Sequence, residues 1–240
     1  MMVNAAAEDA LERIAQRATD VQRAFTPGAT SPFGDVVAEQ AGSRATLDPL
    51  SVAAPPDAYF ITTDERGRAV YTRDGGFALH GGTLTGADGR AILGFRSTTS
   101  ATSELHVDDV DAALGRVNDL RIESDGTLAY DRAIVDPRTG ARERERVAVG
   151  RVALARFPAA TKLGASDANH FFAPHGVLPH VGRAGDGNFA HVAPMQRETS
   201  RIDLDRSLDR LEEAYVAFDA LQAAHKAQGG VGKTAMDLLK

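Results

Sequence analysis

The chain has 240 residues, a net charge of −6, 43% hydrophobic and 25% charged residues, and neither cysteine nor tryptophan. That length suits one large or two small domains with a sizeable core. Disulfides and thiolate metal sites are excluded, the acidic balance argues against a nucleic-acid binder, and no apolar run reaches the length needed for membrane insertion.

The opening stretch MMVNAAAEDALERIAQ is acidic and lacks a cationic start followed by an apolar core, so no Sec signal peptide is expected. Residues 4–25 read as an amphipathic helix. Ala7, Leu11, Ile14, Ala18, Val21 and Phe25 alternate at spacings of 4 and 3 and share one stripe. Thr26-Pro27-Gly28 stops it. Residues 26–56 hold Gly, Ser, Thr, Ala and the prolines Pro27, Pro32, Pro49, Pro55 and Pro56, and read as an extended connector with one short helical piece at 35–41.

From about residue 58 to 157 the pattern is β-rich. Tyr59-Phe60-Ile61, Ala69-Val70-Tyr71, Phe77-Ala78-Leu79 and Ala91-Ile92-Leu93 are strand-forming pieces, with turns at Asp74-Gly75-Gly76, Gly81-Gly82 and Asp88-Gly89. Residues 106–114 fit either a short helix or an irregular crossing. Leu120-Arg121-Ile122-Glu123 and Thr127-Leu128-Ala129-Tyr130 flank Asp125-Gly126, the strongest short-range hairpin signal. A second hairpin is predicted around residues 136–140, leading into a strand over 144–157. Residues 158–200, rich in Gly, Pro, Ala and Asn, read as a long irregular return.

Residues 203–227 are the strongest helix. Leu204, Leu208, Leu211, Tyr215 and Phe218 alternate at spacings of 4 and 3; Ser200 or Asp203 caps the start, and Gly229-Gly230 ends it. Each terminal helix thus carries a stripe without a partner in its own segment. A helix of this length is marginal alone, so the ends are expected to pack together, within one chain or between subunits.

The β-rich segment carries a resemblance. Tyr59-Phe60, Gly67, Tyr71-Thr72-Arg73-Asp74-Gly75-Gly76-Phe77, Gly82-Thr83-Leu84, Asp88-Gly89 and Leu93-Gly94 follow the order of a segment found in bacterial flagellar rod and hook proteins. Later blocks resemble that family too. Leu120-Arg121-Ile122 with Asp125-Gly126-Thr127 is one. The run from Val149 to Phe157 (VGRVALARF) is another, followed by Asn169-His170-Phe171 and then Glu198-Thr199-Ser200-Arg201-Ile202-Asp203. The likeness spans residues 58–225, most similar to rod proteins. The chain departs from it at both ends: the signature that usually follows the N-terminal helix is missing, and Glu213-Ala214-Tyr215-Val216-Ala217-Phe218-Asp219 stands where the C-terminal helix has its own.

The resemblance implies a structural subunit of the basal-body rod, polymerising through its terminal helices into the periplasmic drive shaft. Export would use the flagellar type III apparatus. Expected partners are further copies and other rod or hook subunits, with surrounding ring proteins as further candidates. The alternative is a soluble assembly or binding factor that keeps the β-domain without forming the tube. The expected fold is mainly β with terminal helices: a middle domain of hairpins and meanders bracketed by helices that pair. Its parts would be 1–56, 57–157, 158–202 and 203–240. Leu11, Ile14, Ala18, Val21, Phe25, Leu204, Leu208, Leu211, Tyr215 and Phe218 are the candidate interface. Tyr71, Thr72, Arg73, Asp74, Gly75 and Phe77 are the fold-defining motif.

Three features imitate chemistry. Gly229-Gly230-Val231-Gly232-Lys233-Thr234 mimics a phosphate-binding loop, but a helix precedes it where such a loop needs a strand. His170, His175, His180 and His191 match no metal-ligand spacing. Arg142-Glu143-Arg144-Glu145-Arg146 would put Arg on one strand face and Glu on the other, a solvated hairpin arm. No catalytic, cofactor-binding or metal-ligating residue is assigned, no small-molecule substrate is implied, and no enzyme activity is expected.

Overall fold

The computed structural model describes residues 2–26, 29, 42–96, 101–108, 117–135, 138, 140–159, 161–167 and 169–237. The helical piece expected at 35–41 lies outside them, as does most of the segment 106–114. Two compact units form, one holding both helices from the chain ends and one holding the strands within residues 40–200.

The strand unit contains β1 (Ser43–Ala45), β2 (Val52–Ala53), β3 (Tyr59–Thr63), β4 (Ala69–Thr72), β5 (Ala78–His80), β6 (Thr83–Thr85), β7 (Leu93–Arg96) and β8 (Thr102–Glu104). It continues with β9 (Val117–Ile122), β10 (Thr127–Val135), β11 (Arg142–Arg156), β12 (Gly164–Ala165), β13 (His170–Phe172), β14 (His180–Arg183), β15 (Ala193–Pro194) and β16 (Gln196–Glu198). The Asp125-Gly126 hairpin forms as expected. Gly126 takes φ 78°, which its missing Cβ permits, and Ile122 faces Leu128 across the ladder. β10 and β11 make the second hairpin, with Val135 opposite Arg142.

The central element is β11, whose character changes along its length. Residues 142–146 are exposed on both faces, whereas Val152, Ala153, Leu154 and Ala155 are all buried. Strand side chains alternate faces, so a continuous buried run means that both faces are covered there. Val152 and Leu154 join Phe60, Phe77, Leu84, Ile92 and Leu128 in one core. Ala153 and Ala155 join Ile61, Tyr71, Phe95 and Phe171 in a second.

The fold class expected from the pattern is overturned. The described residues are mainly β, 39% strand and 22% helix, the helices form a unit of their own, and the strands are not a chain of hairpins. The main sheet runs β12-β13-β4-β3-β11-β10-β9, with β7 and β14 also on β11. The cause is the length of β11, whose two edges recruit partners from distant parts of the chain. The segments read as connector and irregular return also pair with each other. β1 lies antiparallel to β16, and β2 to β15. Strands of two or three residues contain no period to read.

In the helical unit, α1 (Met2–Arg23) packs on α2 (Leu204–Asp237). The Asp203 carboxylate accepts the Arg206 N–H at 3.2 Å, which makes it the N-cap. α2 does not stop at Gly229-Gly230 but continues to Asp237. Glycine costs only about 1 kcal/mol inside a helix, and no proline enforces an end. Among the described residues, no helix is long and apolar enough to cross a membrane.

Two carboxylates predict how stability varies with pH. In the β3–β4 turn, Asp64 accepts the Arg68 N–H at 2.8 Å and the Arg66 N–H at 2.9 Å. These bonds, the one from Arg68 foremost, hold its pKa below the ordinary carboxylate value. Glu123 is likewise held down, chiefly by its hydrogen bond from Arg146. A carboxyl group with a folded pKa below its unfolded one stabilises fully above the unfolded value, about 4. That contribution is lost as pH falls through the depressed folded values. The thermal midpoint should be flat from neutral to about pH 5 and fall below about pH 4, as circular dichroism melts would record.

Candidate functional site

The motif at 71–77 leaves β4 and turns back under the connector. Tyr71 contributes its ring to the second core, edge-on to Phe157 at 4.8 Å, and burial pushes its hydroxyl pKa up. The Thr72 hydroxyl accepts the Asp74 N–H at 3.0 Å. Phe77 packs edge-on against Phe60 at 4.9 Å.

Between these aromatics lies a double ion pair. Arg73, 2% exposed, donates Nε–H to both oxygens of buried Glu198, at 2.8 and 2.6 Å. Its Nη1 reaches the carbonyls of Pro55 and Pro56, each at 3.1 Å, and of Ala58 at 2.6 Å. The guanidinium also lies over the Tyr59 ring, 5.5 Å from its centroid. The neighbouring pair runs the other way round. Asp74 accepts Nε and Nη2 of Arg197, both at 3.0 Å, and the Asn169 amide at 3.3 Å. Consecutive Arg-Asp thus meets consecutive Arg-Glu, and every charge has an opposite partner. Arg suits this place because its planar fork serves a carboxylate and several carbonyls at once.

The glycines of the motif are required by close approach. The Gly75 carbonyl accepts the Val52 N–H at 2.9 Å. A Cβ on Gly75 would stand 1.7 Å from the Val52 carbonyl oxygen, and one on Gly76 would stand 2.4 Å from the Arg197 guanidinium carbon. Gly75→Ala forces the backbone itself to move. It should cost near the upper end of the about 1–3 kcal/mol typical of overpacking, measured by urea unfolding.

The motif partners Arg197, Glu198 and Asn169 escaped prediction. Asn169 and Glu198 had one signal, their place in blocks resembling the same family, and Arg197 stands just before the second of these. His170, beside them, contacts Asp167 at 2.7 Å and Asp88 at 3.4 Å, while His180 stacks on Phe189. Among the described residues, no three His, Asp or Glu side chains converge as a metal site. The glycine-rich mimic lies inside α2, whose interior N–H groups are already used by the helix, so it offers no phosphate cradle.

The helical stripes divide between packed and open positions. On α1, Ile14, Ala18 and Val21 are half-buried and Leu11 is 52% exposed, while Phe25, in the turn just past the helix end, is 72% exposed. On α2, Leu204, Leu211 and Phe218 are half-buried, while Leu208 is 46% and Tyr215 51% exposed. The packed face of α2 therefore runs Leu204, Ser207, Leu211, Ala214 and Phe218, one position short of the expected stripe at two points. Buried Ser207 and half-buried Ala214 are small, so a search for large apolar residues passes over them. A groove of about 410 Å³ lies between the helices, with a floor of Ala6, Ala10, Ala214 and Ala217. Small residues let helix backbones approach closely.

The chain matches no family model and no curated protein.

Proposed function

We propose that this chain is a structural subunit of the bacterial flagellar rod. It joins its neighbours through the open faces of α1 and α2. One observation carries the reading: Leu11, Phe25, Leu208 and Tyr215 stay exposed although α1 and α2 are packed together. Apolar side chains left open on paired helices, and just past the end of one, favour burial against further helices, each worth about 1.5–3 kcal/mol when covered. The motif 71–77 supports the reading from the other unit. Its residues are occupied with internal closure, which leaves assembly to the helices. The role is mechanical, with further copies and other rod or hook subunits as partners, ring proteins as further candidates, and type III export as the route to the periplasmic rod.

The alternative, a soluble assembly or binding factor, gains from the half-burial of Ile14, Val21, Leu211 and Phe218 within the single chain. Sedimentation and electron microscopy of the full chain separate the two. Tubes or oligomers that weaken at least about tenfold in Leu208→Glu/Tyr215→Glu support the rod reading. The melting behaviour should barely move, since exposed substitutions are worth within about 0.5 kcal/mol. A strict monomer at high concentration supports the alternative instead.

A further inference from the structure

We infer that the free edge of β11 is built to refuse the same edge of a second copy, so that copies do not join sheet to sheet. Along residues 142–151, one edge of β11 is taken by β10. The other edge carries β7 at residues 150–152 and β3 at 154–155. Among the described residues nothing pairs with it from 142 to 149. Residues 142–146 are exposed. An open strand edge of this length is a template for another chain.

The order of charges decides what it can accept. Two copies of one edge that meet antiparallel keep the same sheet faces uppermost. Directly opposed residues point to the same face, so each residue must oppose one an even number of positions away in sequence. Positions 142, 144 and 146 are all Arg, and positions 143 and 145 are both Glu. No antiparallel register of this stretch therefore sets Arg against Glu, and wherever two copies of it overlap, like charges face each other. A shift along the strand does not relieve this, because an odd shift would turn side chains to the wrong face. The inner charges also have partners on their own sheet. Arg144 is held by Asp119 at 3.3 Å, Arg146 by Glu123, and Glu145 by Arg132 at 2.5 Å.

The inference stands whether or not the rod reading holds, and its test is local to the edge. Arg142 and Glu143 carry no ion pair among the described residues. Exchanging them, R142E/E143R, preserves composition and net charge. In the register centred on Arg144 it places an acid opposite Arg146 and a base opposite Glu145. Amide hydrogen exchange across 142–149 is followed against concentration in both full-length chains. The parent's edge amides should exchange at the same rate at all concentrations. In the exchanged chain, alternate amides should gain protection with concentration, with self-association through this edge about ten- to a hundredfold tighter, and added salt should reverse the gain. Unchanged exchange in R142E/E143R, or concentration-dependent protection already present in the parent, overturns the inference. Assembly through the helices leaves these amides open, so it does not imitate either result.

Discussion

Arg73→Ala should cost the strand unit about 3–5 kcal/mol, the range for removing one partner of a buried ion pair. Alanine leaves Glu198 charged at 4% exposure, and it strips the donor from the carbonyls of Pro55, Pro56 and Ala58. Two of those carbonyls, of Pro55 and Pro56, end the connector, and the third leads into β3. The loss therefore falls on the attachment of that connector as well as on the pair. Glu198→Ala removes only the carboxylate and leaves Arg73 its carbonyl partners, so it should cost less than Arg73→Ala. The double change R73M/E198L removes both charges and should recover part of the loss. Equilibrium urea unfolding of the three variants checks the order. If Arg73→Ala cost under about 1 kcal/mol, like an exposed pair, the network would not be holding the connector.

Phe60→Ala should destabilise by a similar amount, about 3–5 kcal/mol, the range for removing a buried aromatic ring. Phe60 is fully buried on β3, with Leu154 of β11 on one side and Thr72 of β4 on the other. Its ring meets Phe77 and comes within 3.1 Å of the Cβ position that Gly75 lacks. The cavity is therefore walled by backbone that the motif has already drawn tight, and it cannot collapse. Phe77→Ala opens the same space, so the double variant should cost less than the two single changes added together. Unfolding midpoints at unchanged m-value, together with that cycle, measure the effect.

The motif and the helices differ in how far they were legible. Residues 71–77 stood out by their turn chemistry and their resemblance, yet their purpose lay in residues more than a hundred positions away. Arg73 looks like any strand-end arginine until Glu198 is beside it. Residues 158–200 read as irregular because their strands span only two to four residues, and all but β12, which pairs with its neighbour β13, form on a partner outside the segment. Gly229-Gly230 signalled an end that α2 does not obey, since glycine weakens a helix without forbidding it. On α2 the period was legible, but the choice between Leu208 and Ser207, or between Tyr215 and Ala214, belonged to the partner helix.

By itself the sequence determined what depends on neighbours along the chain: the helical period, the Asp125-Gly126 hairpin, the charge alternation of 142–146 and the tight turn at 74–76. Turn geometry and side-chain period are set within a few residues, so they can be read directly. Only the tertiary structure decided which edges of β11 are covered, which stripe of α2 is packed, and that Arg73-Asp74 closes on Arg197-Glu198. Those outcomes depend on burial, and burial is settled only when distant segments compete for the same surface.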